Sequence, residues 1–145
     1  MKLDVYQALE LAAKRYRSLR TRFEQFHAHA KSLPNAGTPP LLADMSVSDL
    51  VAPGYFDVSL AGTTIRFQFE YLPDSTVGDK GVAVAYLFDR FTGMRADKAF
   101  GNFDFTSTGQ TEHKFDGNGD PVSIADEHGS WYVVAKLLAE AIQRK

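Results

Sequence analysis

The sequence predicts an α+β fold: a single curved antiparallel sheet of about five strands, a meander, flanked by a long N-terminal helix and a C-terminal helix. Three observations carry this. An unbroken apolar repeat of alternating spacing four and three runs through residues 1–33, with no Gly or Pro inside it. From Tyr55 onward the apolar period drops to two. Nowhere do strand-like and helix-like stretches alternate, which excludes the βαβ units of a parallel sheet.

The first element is the clearest. Val5, Leu9, Ala12, Tyr16, Leu19, Phe23, Phe26, Ala30 and Leu33 form an a/d seam over residues 1–33. A helix of about 30 residues is about 45 Å long, more than the body of such a chain needs. Part of it is therefore expected to protrude, free to pair with a second copy. Pro34, Gly37, Pro39 and Pro40 end it and open a linker over residues 34–54. Within that linker Leu41–Val51 reads as a short helix, with Ser46 as its cap and Asp49 three residues on.

The sheet is expected over residues 55–116. A two-residue turn at Ala61-Gly62 pairs Phe56 with Phe67 and Val58 with Ile65 on one face, and Asp57 with Arg66 on the other. The turn places Ala61 at positive φ. Val82–Phe91 is apolar on both faces and reads as a central strand. Thr92-Gly93 turns the chain, and a three-residue loop at Thr108-Gly109-Gln110 is expected to set Phe105 against His113. Residues 116–121 carry turn chemistry. The last helix is expected over 126–144, with Trp131, Val134, Leu137, Leu138, Ala141 and Ile142 on its apolar stripe.

One domain, residues 1–145, accounts for the length. An apolar content of 44%, with eleven Phe, six Tyr and one Trp, excludes disorder, collagen and rod-like coiled coil for the whole chain. The absence of cysteine excludes disulfides, thiolate nucleophiles and Cys-built metal centres. The longest unbroken apolar run is a handful of residues, too short to cross a membrane. The N-terminal stretch carries an acid at Asp4 and lacks a signal-peptide core, so the expected address is a reducing cytoplasm.

The formal net charge of −2 hides a division: residues 1–33 carry +4 and the remainder −6. A basic run, Lys14, Arg15, Arg17, Arg20 and Arg22, makes up the first candidate binding surface. Such a run can track phosphates in a salt-sensitive way. Yet these five ring the whole surface beside the seam, whereas a groove binder concentrates its cations. A solvated face that meets acids or a partner is the plainer reading.

The second candidate is a cation site. Asp116, Asn118, Asp120 and Glu127 fall at positions 1, 3, 5 and 12 of a loop that resembles an EF-hand in part. Pro121 stands at position 6, where the loop needs a glycine conformation, so an Asx-rich turn competes with it. His27 and His29 are two apart on a helix and diverge, so they cannot share a metal. His128 with Asp126 or Asp116 suits a small hydrolase, but no positioned nucleophile, phosphate-binding glycine loop, His-Glu-x-x-His or dinucleotide fingerprint accompanies it. No catalytic residue and no cofactor is assigned.

In outline alone, the antiparallel sheet between terminal helices resembles small bacterial secretion chaperones and immunity proteins. The reading that follows is a non-enzymatic cytoplasmic protein acting through protein–protein contact, as adaptor, chaperone or inhibitor, with a protein partner or itself as a homodimer. Nucleic-acid binding through residues 14–22 is the alternative, and a small enzyme with a site near residues 116–128 the third.

Overall fold

The computed structural model describes residues 4–37, 39, 40, 42–52, 54–73, 79–89, 91–114 and 121–143. Two helices, α1 (Val5–Ser32) and α2 (Glu127–Gln143), enclose seven strands in chain order. These are β1 (Ser46–Val47), β2 (Tyr55–Leu60), β3 (Thr63–Leu72), β4 (Lys80–Leu87), β5 (Gly101–Phe105), β6 (Gln110–Lys114) and β7 (Pro121–Ser123). Each strand pairs antiparallel with the next, so the sheet is a meander with β4 at its centre. The α+β class and the terminal helices agree with the sequence; the strands number seven instead of about five.

A reciprocal cap starts α1. The Gln7 amide donates to Asp4 Oδ1 at 2.7 Å, and the Asp4 amide donates to Gln7 Oε1 at 3.2 Å. Pro34 then draws Leu33–Asn35 into one turn of 3-10 helix.

The β2–β3 hairpin has the expected register, with Phe56 opposite Phe67, Val58 opposite Ile65 and Asp57 opposite Arg66. Ala61 does sit at positive φ, 53°, beside Gly62 at 76°. On the inner face the first three residues of β4 are small, Gly81, Ala83 and Ala85, and Leu87 closes its end opposite Ile65. Phe67 and Phe69 flank that trough from β3, Phe103 and Phe105 from β5. Large side chains of α1 fill it: the Phe26 ring centre lies 5.3 Å from those of Phe67 and Phe103 and 5.6 Å from that of Phe56. Gly81 makes room for that ring, because a Cβ would stand 2.3 Å from Phe105 Cζ. Val133, Val134, Leu137, Leu138 and Ala141 of α2 complete one continuous core on the same face.

Three expectations are corrected. The residues read as a short helix over 41–51 instead supply β1, since the Ser48 amide and hydroxyl bond to Asp57 as further rungs of the sheet. Phe105 faces Thr111 and not His113. The connecting loop is four residues long, with Gly109 at φ 90° donating to the Thr106 carbonyl, and this shifts the register by two. Pro121, read as the end of a turn, instead opens strand β7 (Pro121–Ser123) against β6, where no strand was expected. The rest of the 116–121 turn lies outside the described residues.

Candidate functional site

The seam of α1 divides in two. From Leu19 through Phe23, Phe26, Ala30 and Leu33 it is buried in the molecule's own core. Tyr16 marks the boundary: half-buried, its ring lies 5.7 Å from Phe69 and 5.8 Å from Tyr71. Before it contact with the body thins, with Leu11 still half-buried at the edge of the body, and beyond Leu11 the helix projects. Residues 4–10 are exposed throughout, and Val5, Tyr6 and Leu9 are 71%, 80% and 63% accessible. Three apolar side chains on a capped, regular helix thus face water, where burying each would gain about 1.5–3 kcal/mol for the aliphatic ones.

The five predicted cations do not form one surface. Arg22 turns onto its own protein, donating from Nε to the Ser107 carbonyl at 2.7 Å and from Nη1 to Gln25 Oε1 at 2.8 Å. Arg15 reaches Asp79 at 3.8 Å. Arg20 is half-buried, while Lys14 and Arg17 are exposed. Lys14 and Arg15 border a cleft of about 390 Å³ between α1, the start of β4 and the β5–β6 loop, with Lys80, Asp79, Ser18 and Thr106 around it. The Asp79 side chain is only 9% accessible and accepts from the Tyr71 hydroxyl. That bond, with burial second, raises the Tyr71 phenol above its usual range. The cleft therefore carries mixed charge.

Of the candidate cation ligands, Asp116, Asn118 and Asp120 lie outside the described residues. Glu127 is engaged elsewhere, accepting from Ser32 Oγ at 3.1 Å across the junction of the two helices. His27 and His29 diverge as the spacing requires: His27 Nε2 meets the Ser48 carbonyl at 2.8 Å, and His29 Nδ1 meets Ser130 Oγ at 3.1 Å. The His128 ring stands edge-on to Trp131, 5.1 Å between centres. Among the described residues no three His, Asp or Glu side chains are grouped to hold a metal, and no helix is long and apolar enough to cross a membrane.

Among the described residues no helix covers the sheet's outer face, which is partly roofed by its own arginines. Arg66, held by Asp57 at 2.8 and 3.2 Å, lies 4.0 Å from the Tyr55 ring centre and 5.0 Å from that of Phe88. Arg95 lies 3.8 Å over Tyr86. A second exposed apolar feature escaped the sequence reading, which placed Phe91 at the end of a strand. Phe91 and Met94 are 94% and 70% accessible in the turn after β4. Asp89 shapes that turn by accepting from the amides of Phe91 and Thr92. The Thr92-Gly93 pair was the available signal.

No protein-family model, curated protein or solved structure matches this chain.

Proposed function

We propose that this chain is a non-enzymatic protein that acts by protein–protein contact, as an adaptor, chaperone or inhibitor, and that the projecting part of α1 is its contact element. One observation carries the reading: Val5, Tyr6 and Leu9 are 71%, 80% and 63% accessible on a helix whose later seam is wholly occupied. Scattered apolar residues are ordinary on a surface, but a set of them on consecutive turns of one helix is the form partners bind. The mixed charge of the cleft and the inward turn of Arg22 count against a phosphate-tracking surface over residues 14–22. A cytoplasmic address belongs to the same proposal and rests on the cysteine-free composition.

The test is retention of partners from native lysate by the tagged full chain and by Leu9→Glu, each with and without nuclease. A stoichiometric protein, a copy of the chain included, that survives nuclease and is lost from Leu9→Glu supports the reading. Retention that vanishes with nuclease transfers it to nucleic acid. Equal retention by both proteins removes α1 from the mechanism.

A further inference from the structure

We infer that the cleft at the foot of α1 is a binding site for a small organic dianion, a phosphate monoester or dicarboxylate with an apolar body. The site is independent of what the projecting seam contacts. One stripe of the helix forms its first wall. Lys14, Arg15, Ser18 and Leu19 follow Leu11 at the spacing that turns side chains to one helix face. Asp79 and Lys80 close the cleft at the start of β4, and Thr106 and Ser107 close it from the β5–β6 loop.

Charge selects the ligand. Three cations, Lys14, Arg15 and Lys80, line the cleft against one acid, Asp79. That acid is already committed: its side chain is 9% accessible, accepts from the Tyr71 hydroxyl and faces Arg15 at 3.8 Å. A dianion neutralises the surplus of positive charge that is left. Among the described residues Lys14 and Lys80 form no ion pair, and Arg15, its side chain 52% accessible, keeps donors for a ligand. Asp104 and Glu112 border a separate hollow beyond Lys80, so the cations concentrate on the α1 side.

The walls are fixed before anything binds. Arg22 ties the β5–β6 loop to α1 through its 2.7 Å bond from Nε to the Ser107 carbonyl. Within that loop the Gly109 amide donates to the Thr106 carbonyl at 2.8 Å, and Tyr71 holds Asp79 from the sheet. A site held in this way loses little conformational freedom on binding. Ser18, Thr106 and Ser107 add hydroxyls for the remaining oxygens of the anion. Leu11 and Leu19 line the same space and suit an apolar body, which free phosphate lacks. At about 390 Å³ the cleft has the size of a small-molecule site, and one anion fills it where a strand of phosphates would not fit.

The test is an NMR titration of the isotope-labelled full chain at neutral pH with phenyl phosphate, benzylmalonate and inorganic phosphate. The amides of Ser18, Lys80, Thr106 and Ser107 should shift together with phenyl phosphate or benzylmalonate, with a Kd of about 1 mM or lower. Whichever of the two binds more tightly names the headgroup. Lys14→Gln and Lys80→Gln should each weaken binding about tenfold with unchanged circular dichroism. Lys98→Gln makes the same change of charge at an exposed position by the opposite end of β4, and should leave binding unaltered. The inference is overturned if these amides do not shift, or if binding survives the combined Lys14→Gln and Lys80→Gln changes. Equal weakening by Lys98→Gln, or inorganic phosphate binding as tightly as phenyl phosphate, overturns it as well.

Discussion

Trp131 Nε1 donates to the carbonyl of His29 at 2.8 Å, a bond from the first turns of α2 to the last turn of α1. The same indole N–H lies 3.1 Å from Ser32 Oγ. One residue earlier on α2, the buried Ser130 hydroxyl donates to the Ile124 carbonyl at 2.9 Å. Its only hydrogen is thereby used, so His29 Nδ1 is the donor of the 3.1 Å bond to Ser130 Oγ. The C-terminal end of α1, whose last carbonyls lack helical partners, is stitched to α2 by these groups.

Trp131→Phe keeps an aromatic ring in that place but removes the donor and part of the packed indole, and is expected to cost at least about 1 kcal/mol in urea unfolding. Ser130→Ala leaves the Ile124 carbonyl unpaired and should cost about 1–3 kcal/mol. A Trp131→Phe protein as stable as the parent would show that the indole bond to His29 is not made in solution.

Gly81 permits the Phe105 ring to lie across β4, so Gly81→Ala should destabilise by about 1–3 kcal/mol through overpacking. The clash is with a side chain, not with backbone, and Phe105→Leu should therefore recover part of the loss when combined with Gly81→Ala. Denaturant unfolding of the two single variants and the double closes the cycle. Strictly additive losses would refute the contact.

Ala61 occupies the left-handed region at φ 53° without the freedom of glycine. The strain is about 1–2 kcal/mol for an L residue, offset in part because glycine gains entropy when unfolded. Ala61→Gly should therefore raise stability by about 0.5–1 kcal/mol. A loss on substitution would mean that the hairpin does not hold this turn.

These features were legible in unequal degree. The β2–β3 hairpin could be read to the residue because both faces agree: the apolar pairs match, and Asp57 meets Arg66 at 2.8 Å. β1 is too short at two residues to show a period, and Ser46 followed by Asp49 imitates a helix cap. The Phe105 register depended on a loop hydrogen bond from Gly109 that sequence spacing does not display. For the candidate surface, the seam was plain in residues 5–33 but the point of departure was not. That point is set by where Phe69 and Tyr71 meet Tyr16, a matter of sheet length and not of helix sequence. Phe91 was misplaced for a related reason, since strand β4 ends at Leu87 and the turn begins earlier than its apolar run.

The turn that presents Phe91 depends on a charge. Asp89 Oδ1 accepts from the Phe91 amide at 2.7 Å and from the Thr92 amide at 3.0 Å. These bonds, Thr92's first, hold the Asp89 carboxyl below its ordinary value of 3.8. A group whose pKa is lower folded than unfolded stabilises the fold above the unfolded value, and the contribution is lost as pH falls through the folded one. The turn should therefore be intact at neutral pH and loosen only below the ordinary carboxylate range. Amide shifts of Phe91 and Thr92, followed by NMR from pH 7 downward, should titrate together with a midpoint under 3.8. Asp89→Asn keeps one oxygen acceptor and no ionisable group, so it should retain the turn and flatten that titration. A midpoint at or above the ordinary value would mean that the carboxylate does not hold these amides, and that Phe91 is not fixed outward by the turn.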